Sequence, residues 1–319
     1  MAETMSSSST DTSTSRDRTA RTLSDLEQQR QDANQRMRPE VEAQRQQAQQ
    51  DAEKTLDKEA IAAIQQTERA LNAIAENRID EALAAIEQAT GKLDILLSRN
   101  PATALIPVNT HVVVIDTAPQ SVDDIGRLKD AASVALHLDN LPAARTILDT
   151  LRSEIRARIY NLPLATYPAA LREAVRLLDQ KNTEEAANVL LGALNTLVII
   201  DQVAPVPLLL AREAVNRAQA YAQRKDKEAA QRLVEIGNRE LERAMELGYI
   251  ANNAEYTALR DEIKKVRKQL KSDEDTTSVF AGIKEKLASL TRRRSEKQVR
   301  AEAPKEQGSE KEKRPEKVA

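Results

Sequence analysis

The phrase AARTIL at 143–148 returns as AANVLL at 186–191 and as AAQRLV at 229–234, each 43 residues after the last. Self-similarity at such a period marks one supersecondary unit used repeatedly. Alanine favours helix and leaves room for a neighbour, so each pair is expected in the first turn of the second helix of a hairpin, beside the loop. Glu81–Ala82 takes the related place in an earlier hairpin. Its extra distance from Ala143 is close to the length of an irregular insert at 99–120.

The apolar periodicity supports four such hairpins. Leu56, Ala60, Ile64, Leu71 and Ile74 share one helical face, and Ile79, Ala82, Leu83, Ile86, Leu93 and Leu97 share the next. Ser121 with Asp124 opens a third helix (Ile125, Leu128, Ala132, Ala135), which turns at LDNLPAA into Ala144, Ile147, Leu148, Leu151 and Ile155. Leu171, Ala174, Val175 and Leu178 turn at DQKNTEE into Ala187, Leu190, Leu191, Leu194 and Leu197. Pro207–Gln223 pairs with Asp226–Leu247. Only 2% of residues are aromatic and only seven are Gly. The fold class is therefore mainly α: stacked antiparallel helical hairpins, TPR-like or in a bundle, with a small two-stranded β-ribbon. That ribbon is expected between Val112–Ile115, the densest β-branched run, and Arg156–Thr166.

Four segments follow. Residues 1–52 read as a disordered or weakly helical extension, Ser/Thr-rich at first and then Gln-rich, broken near Pro39 and outside the core. Residues 53–250 form the hairpin domain and 251–290 the C-terminal helices. Residues 291–319 form a disordered charged tail. Tyr256, Leu259, Ile263, Val266 and Leu270 make a heptad-like seam, open either to a partner or to the body of the chain.

Two stretches, IYNLPLATYPAALREAVRLLDQKNTEEAANVLLGALNTLVIID at 159–201 and PVPLLLAREAVNRAQAYAQRKDKEAAQRLVEIGNRELERAMELGYI at 205–250, resemble the YfdX family of bacterial stress-associated proteins. Leu162, Pro163, Thr166, Tyr167, Pro168 and Ala170 are the most distinctive part, and the resemblance extends back to about residue 60. It implies a helical protein encoded alongside heat- and acid-stress functions, with no assigned enzymatic activity and no catalytic residues to carry over. Family members often look exported to the periplasm. This sequence shows no apolar leader and carries a Ser-rich extension, so a cytoplasmic location is expected here.

The residues exclude much chemistry. No cysteine is present, so thiolate catalysis, thiolate metal sites and disulfides are absent. Neither a phosphate-binding loop nor a dinucleotide pattern occurs. Net charge is −2, and the basic residues near the C-terminus are interspersed with Glu and unaccompanied by aromatics, which argues against nucleic acid. No stretch is long and apolar enough to span a bilayer. The two histidines do not form a metal site by spacing, and neither a metal nor an organic cofactor is expected. His137 sits near a helix C-terminus, where a cation is favoured.

His111 and Asp116 flank the Val-rich strand, while Tyr160 and Tyr167 flank NLPLA where the ribbon meets a hairpin. These four are the candidate pocket for a small amphipathic ligand. The alternative is that both tyrosines simply pack the junction. Taken with the resemblance, the expectation is a non-enzymatic stress-protection protein that binds small ligands or unfolded clients. A helical-repeat scaffold for one specific protein partner is the alternative. Homo-oligomerisation through the 256–270 seam is a further expectation.

Overall fold

The computed structural model describes residues 38–272 and 275–302, with side chains through 290. The expectations for 1–37 and 303–319 lie outside these residues. The elements are α1 (38–54), α2 (Lys58–Ala75), α3 (Ile79–Arg99), β1 (Leu105–Asp116), α4 (Val122–His137), α5 (Leu141–Asp149) and β2 (Ser153–Pro163). They continue with α6 (Tyr167–Asp179), α7 (Thr183–Asn195), β3 (Val198–Pro205), α8 (Val206–Gln223), α9 (Lys227–Glu246), α10 (Ala254–Ser272) and α11 (Thr277–Glu302).

One turn builds all four hairpins. Asn77, Asp139, Lys181 and Lys225 each follow a first helix with φ of 57°, 54°, 62° and 63°. The next residue returns its N–H to a carbonyl five positions back: Arg78 to Ala73 (2.8 Å), Asn140 to Ala135 (2.9 Å), Asn182 to Leu177 (2.9 Å) and Asp226 to Tyr221 (3.0 Å). This closure satisfies carbonyls orphaned at the helix end. That same residue is the N-cap of the second helix, and Asn140 and Asp226 accept through their side chains from the N–H groups of Ala143 and Ala229. The fourth residue of each second helix is then a buried alanine: Ala82, Ala144, Ala186 and Ala230. Ala143 and Ala229 are only half-buried, so the literal 43-residue match is one residue out of structural phase at the middle hairpin.

The hairpins do not form one continuous stack. α2–α3 packs against α6–α7 around Ile86, Leu93, Leu96, Leu171 and Leu190, closed at one end by Ile106 and Leu162 of the sheet. α8–α9 packs with α10 and α11 around Leu241, Leu259 and Phe280. Gly237 permits the tight crossing of α9 on α8, because a Cβ there would lie 3.4 Å from the Ala211 carbonyl and from Val215. Between these groups the sheet lays Val112, Ile155 and Ala157 against Val206, Leu209 and Leu210 of α8.

The ribbon has three strands, in the order β1-β2-β3, all antiparallel. Val112 pairs with Ala157 and Val113 with Arg156, as expected, and the pairing runs on past the expected segment to Ile115 with Glu154. β3 was not expected. Its Val198, Ile199 and Ile200 are as β-branched as β1, but they follow the helical α7 stripe without a Gly or Pro to separate them. The expected helical stripe through Ile155 also ends early: α5 stops at Asp149, and Ile155 belongs to β2. Leu148 and Leu191, read as inward, are exposed.

The helix at 38–54 continues past Pro39, and its Val41 is buried in the sheet–α8 core, so this stretch is not outside the core. α11 continues to Glu302, past residue 290, where a disordered tail was expected to begin. The seam at Tyr256, Leu259, Ile263, Val266 and Leu270 is buried within the chain against α9 and α11, so it is not available to a partner.

Candidate functional site

The structure does not bring His111, Asp116, Tyr160 and Tyr167 into one pocket. His111 is exposed at the middle of β1, opposite Arg158. Tyr160 is half-buried on the same face, opposite Asn109 and Ile199, and is a diagonal neighbour of His111. Asp116 points to the other face at the far end of β1. Tyr167 begins α6 and is buried inside the α2–α3/α6–α7 core. Its hydroxyl lies by Thr67, whose own hydroxyl donates to the Ala63 carbonyl, and among the described residues it has no partner at hydrogen-bonding geometry. Burial pushes its phenol up to about 12. Tyr167 thus packs the junction, as the alternative reading had it.

On the outer face of the sheet, Arg158 donates to both carboxylate oxygens of Asp201, at 2.8 and 2.9 Å. This bidentate pair holds the Asp201 carboxyl below the usual carboxylate range. His137 lies in the last turn of α4, with Nδ1 2.8 Å from the Ser133 carbonyl. Among the described residues, no group of three or more acidic or His side chains is placed to hold a metal.

The densest polar cluster was not foreseen. Arg243 of α9, 1% exposed, donates from Nε to the Pro119 carbonyl (3.0 Å) and from Nη2 to the Ala118 carbonyl (3.1 Å) and Asp116 Oδ1 (3.2 Å). Its Nη1 donates to the buried Glu240 at 3.3 Å. Ser153 Oγ donates to the same Asp116 oxygen at 2.7 Å. The Tyr249 hydroxyl accepts from the Ser153 N–H (2.9 Å) and donates to buried Glu154 (3.1 Å), which also accepts from Arg156. Buried charges persist only when paired and hydrogen-bonded, and here each is engaged with another. The cluster therefore joins α9 to the sheet in one registered orientation. Its only sequence signal is that Glu240 and Arg243 interrupt the inward stripe of Val234, Gly237, Leu241 and Ala244.

Two features face outward. A cleft of about 360 Å³ between α10 and α11 is lined by Ala254, Glu255, Ala258, Lys286, Ser289 and Leu290, and none of the four expected residues reaches it. The α4–α5 hairpin packs through α4 onto α9, where Lys129 bridges to Glu246 at 2.9 Å. Its free end carries Val134, Leu138 and Leu141 at 59, 74 and 60% exposure, with Leu136 also exposed beside them. Large apolar side chains gathered at one tip mark an interaction surface. No helix among the described residues is long and apolar enough to cross a membrane.

Comparison with known proteins bears on the central region. The family model described as YfdX protein matches residues 63–203. The match therefore stops short of α8–α11, and so of the 205–250 stretch whose residues resemble the family. A solved structure of YfdX from Salmonella Typhi is similar at 13% identity, covering 47% of this chain and 93% of that one, with a TM-score of 0.33. No curated protein matches the chain.

Proposed function

We propose, from the match of residues 63–203 to the family model described as YfdX protein, that the chain is a non-enzymatic stress-protection protein that holds partly unfolded clients under heat or acid. The observation that carries this reading is the apolar tip of α4–α5, where Val134, Leu138 and Leu141 face solvent. A tip of this kind binds by area rather than by pattern, which suits clients that share exposed hydrophobic surface and no common sequence. Small amphipathic ligands are a secondary class. The α10–α11 cleft sets Leu290 and two alanines beside Glu255 and beside Lys286, which is paired with Glu262.

The test is heat-induced aggregation of a heat-labile enzyme of unrelated fold, followed by light scattering. The full chain is expected to suppress it, and the Leu138→Ser, Leu141→Ser double variant to lose most of that effect while keeping its helical circular dichroism. Absence of suppression by the unaltered chain removes the reading. A second reading is a scaffold whose tip is filled by one dedicated partner. Recovery of a single stoichiometric protein, lost with the same double variant and unaccompanied by suppression, would favour it.

A further inference from the structure

β1 and β3 are the two edges of the sheet, and they are not equally protected. β3 packs against α11 and α8. The outer edge of β1 receives one backbone hydrogen bond among the described residues, from the Asp57 N–H to the Pro107 carbonyl at 3.0 Å. Beyond it, among the described residues, Asn109 to Ile115 has no strand on that side. An edge of this kind presents a row of unpaired N–H and C=O groups, and chains normally blunt it with Lys, Pro, a bulge or a covering element.

Among the described residues, Pro, a bulge and a charge stand only at the ends of β1, while Val112 in its middle shares a buried cluster with α8 and with Val41 of α1. Pro107 and the register shift between Pro107 and Asn109 close one end, and Asp116, tied to Arg243, closes the other. The seven residues between, NTHVVVI, contain no Lys, Arg, Asp, Glu or Pro. Most of their side chains are accessible as well: Asn109, His111 and Val114 are exposed and Thr110, Val113 and Ile115 half-buried, while Val112 is buried in the core. On the neighbouring strand Arg158 is paired with Asp201 and Arg156 with Glu154, so the strip carries no uncompensated charge that would repel its own image.

We propose that β1 of two copies pair edge to edge, antiparallel about a two-fold axis near Val112–Val113, joining two three-stranded sheets into one. A second copy fits better than an unrelated strand. The free stretch is bounded on both sides, and an antiparallel two-fold sets its valines against the same valines with no like charges opposed. This interface is separate from the α4–α5 tip, so its success or failure leaves the client-binding reading where it stands.

The absence of cysteine makes the test clean. Single variants His111→Cys, Val112→Cys, Val113→Cys and Val114→Cys, with exposed Gln65→Cys as control, are oxidised mildly as full-length protein. Residues facing each other across an antiparallel pair lie about 4.5–5.5 Å apart at Cα, within disulfide range. A covalent dimer is expected at the one position of the four that lies on the two-fold, where a residue faces its own copy, and not at the control. In sedimentation, Val114→Lys is expected to raise the dimer dissociation constant at least about tenfold, the effect of an edge lysine. A monomer at about 100 µM overturns the proposal. So does a dimer that survives Val114→Lys without cross-linking at 111–114, which would place the contact elsewhere. If Val114→Lys fails to fold, the cysteine series decides alone.

Discussion

Arg243 Nη2 and Asp116 Oδ1 lie 3.2 Å apart although 127 residues separate them in the chain. One belongs to α9, beyond the region matched to the family, and the other ends the first strand within it. The pair is where the C-terminal helices register on the sheet.

Removing Arg243 takes an ion-pair partner from the buried Glu240. Arg243→Ala is expected to destabilise the fold by about 3 kcal/mol or more, the usual result of breaking a buried ion pair from one side. Glu240→Gln combined with Arg243→Met is expected to cost less than Arg243→Ala alone, because no buried charge loses its partner. Urea unfolding of the three proteins, read as shifts in midpoint, checks the order.

The left-handed turn residues offer a gain in stability. Lys181 and Lys225 hold φ of 62° and 63°, a region that costs a side chain bearing Cβ and costs glycine nothing. Lys181→Gly and Lys225→Gly are each expected to stabilise by about 0.5–1 kcal/mol. Asn77→Gly should give less, since Asn tolerates this region. Thermal melts of the single variants check the ranking.

The phase of the repeat can be tested directly. Ala144→Leu, Ala186→Leu and Ala230→Leu place extra methylenes where two helices cross and are expected to cost about 1–3 kcal/mol each. Ala143→Leu and Ala229→Leu, one residue earlier and half-buried, are expected to be tolerated. Equal damage at both positions of a pair, measured by chemical denaturation, would contradict the packing described.

Tyr167 should show itself at high pH. Its folded phenol titrates near 12 against an ordinary 10.0, so the neutral form is favoured on folding. That contribution is whole below pH 10 and is lost as pH rises towards 12, by about 2 kcal/mol at the upper end. Tyr167→Phe is expected to be neutral or slightly stabilising at pH 7, because among the described residues the hydroxyl has no partner at hydrogen-bonding geometry, and to flatten the loss of stability between pH 10 and 12. Denaturation midpoints across that range check both parts.

Asp201 gives the complementary acid limb. Arg158 lowers its carboxyl, so its contribution is present above the ordinary carboxylate pKa of about 3.9 and is lost as pH falls further, through the lowered value. Partial exposure keeps the effect small. Asp201→Asn is expected to lower stability modestly at neutral pH and to reduce its fall below about pH 4. Acid titration of the circular dichroism signal reads this.

Helices, hairpin turns and the pairing of β1 with β2 were legible in the residues themselves. Periodicity, capping and β-branching act over a few neighbouring positions, so a stripe such as Leu259, Ile263, Val266, Leu270 declares a helix wherever it finally packs. The partner of each stripe was not legible. Whether that seam met a second chain or α9, whether Val198–Ile200 closed a helix or joined the sheet as β3, and that Arg243 would reach Asp116 were decided only when distant segments came together. Their free energy depends on which surfaces meet, and a charge that interrupts an apolar stripe does not say which partner, 127 residues away, it will find. The four expected pocket residues failed to converge for the same reason: nearness to a junction in sequence does not say to which side of the sheet, or into which core, a side chain will turn.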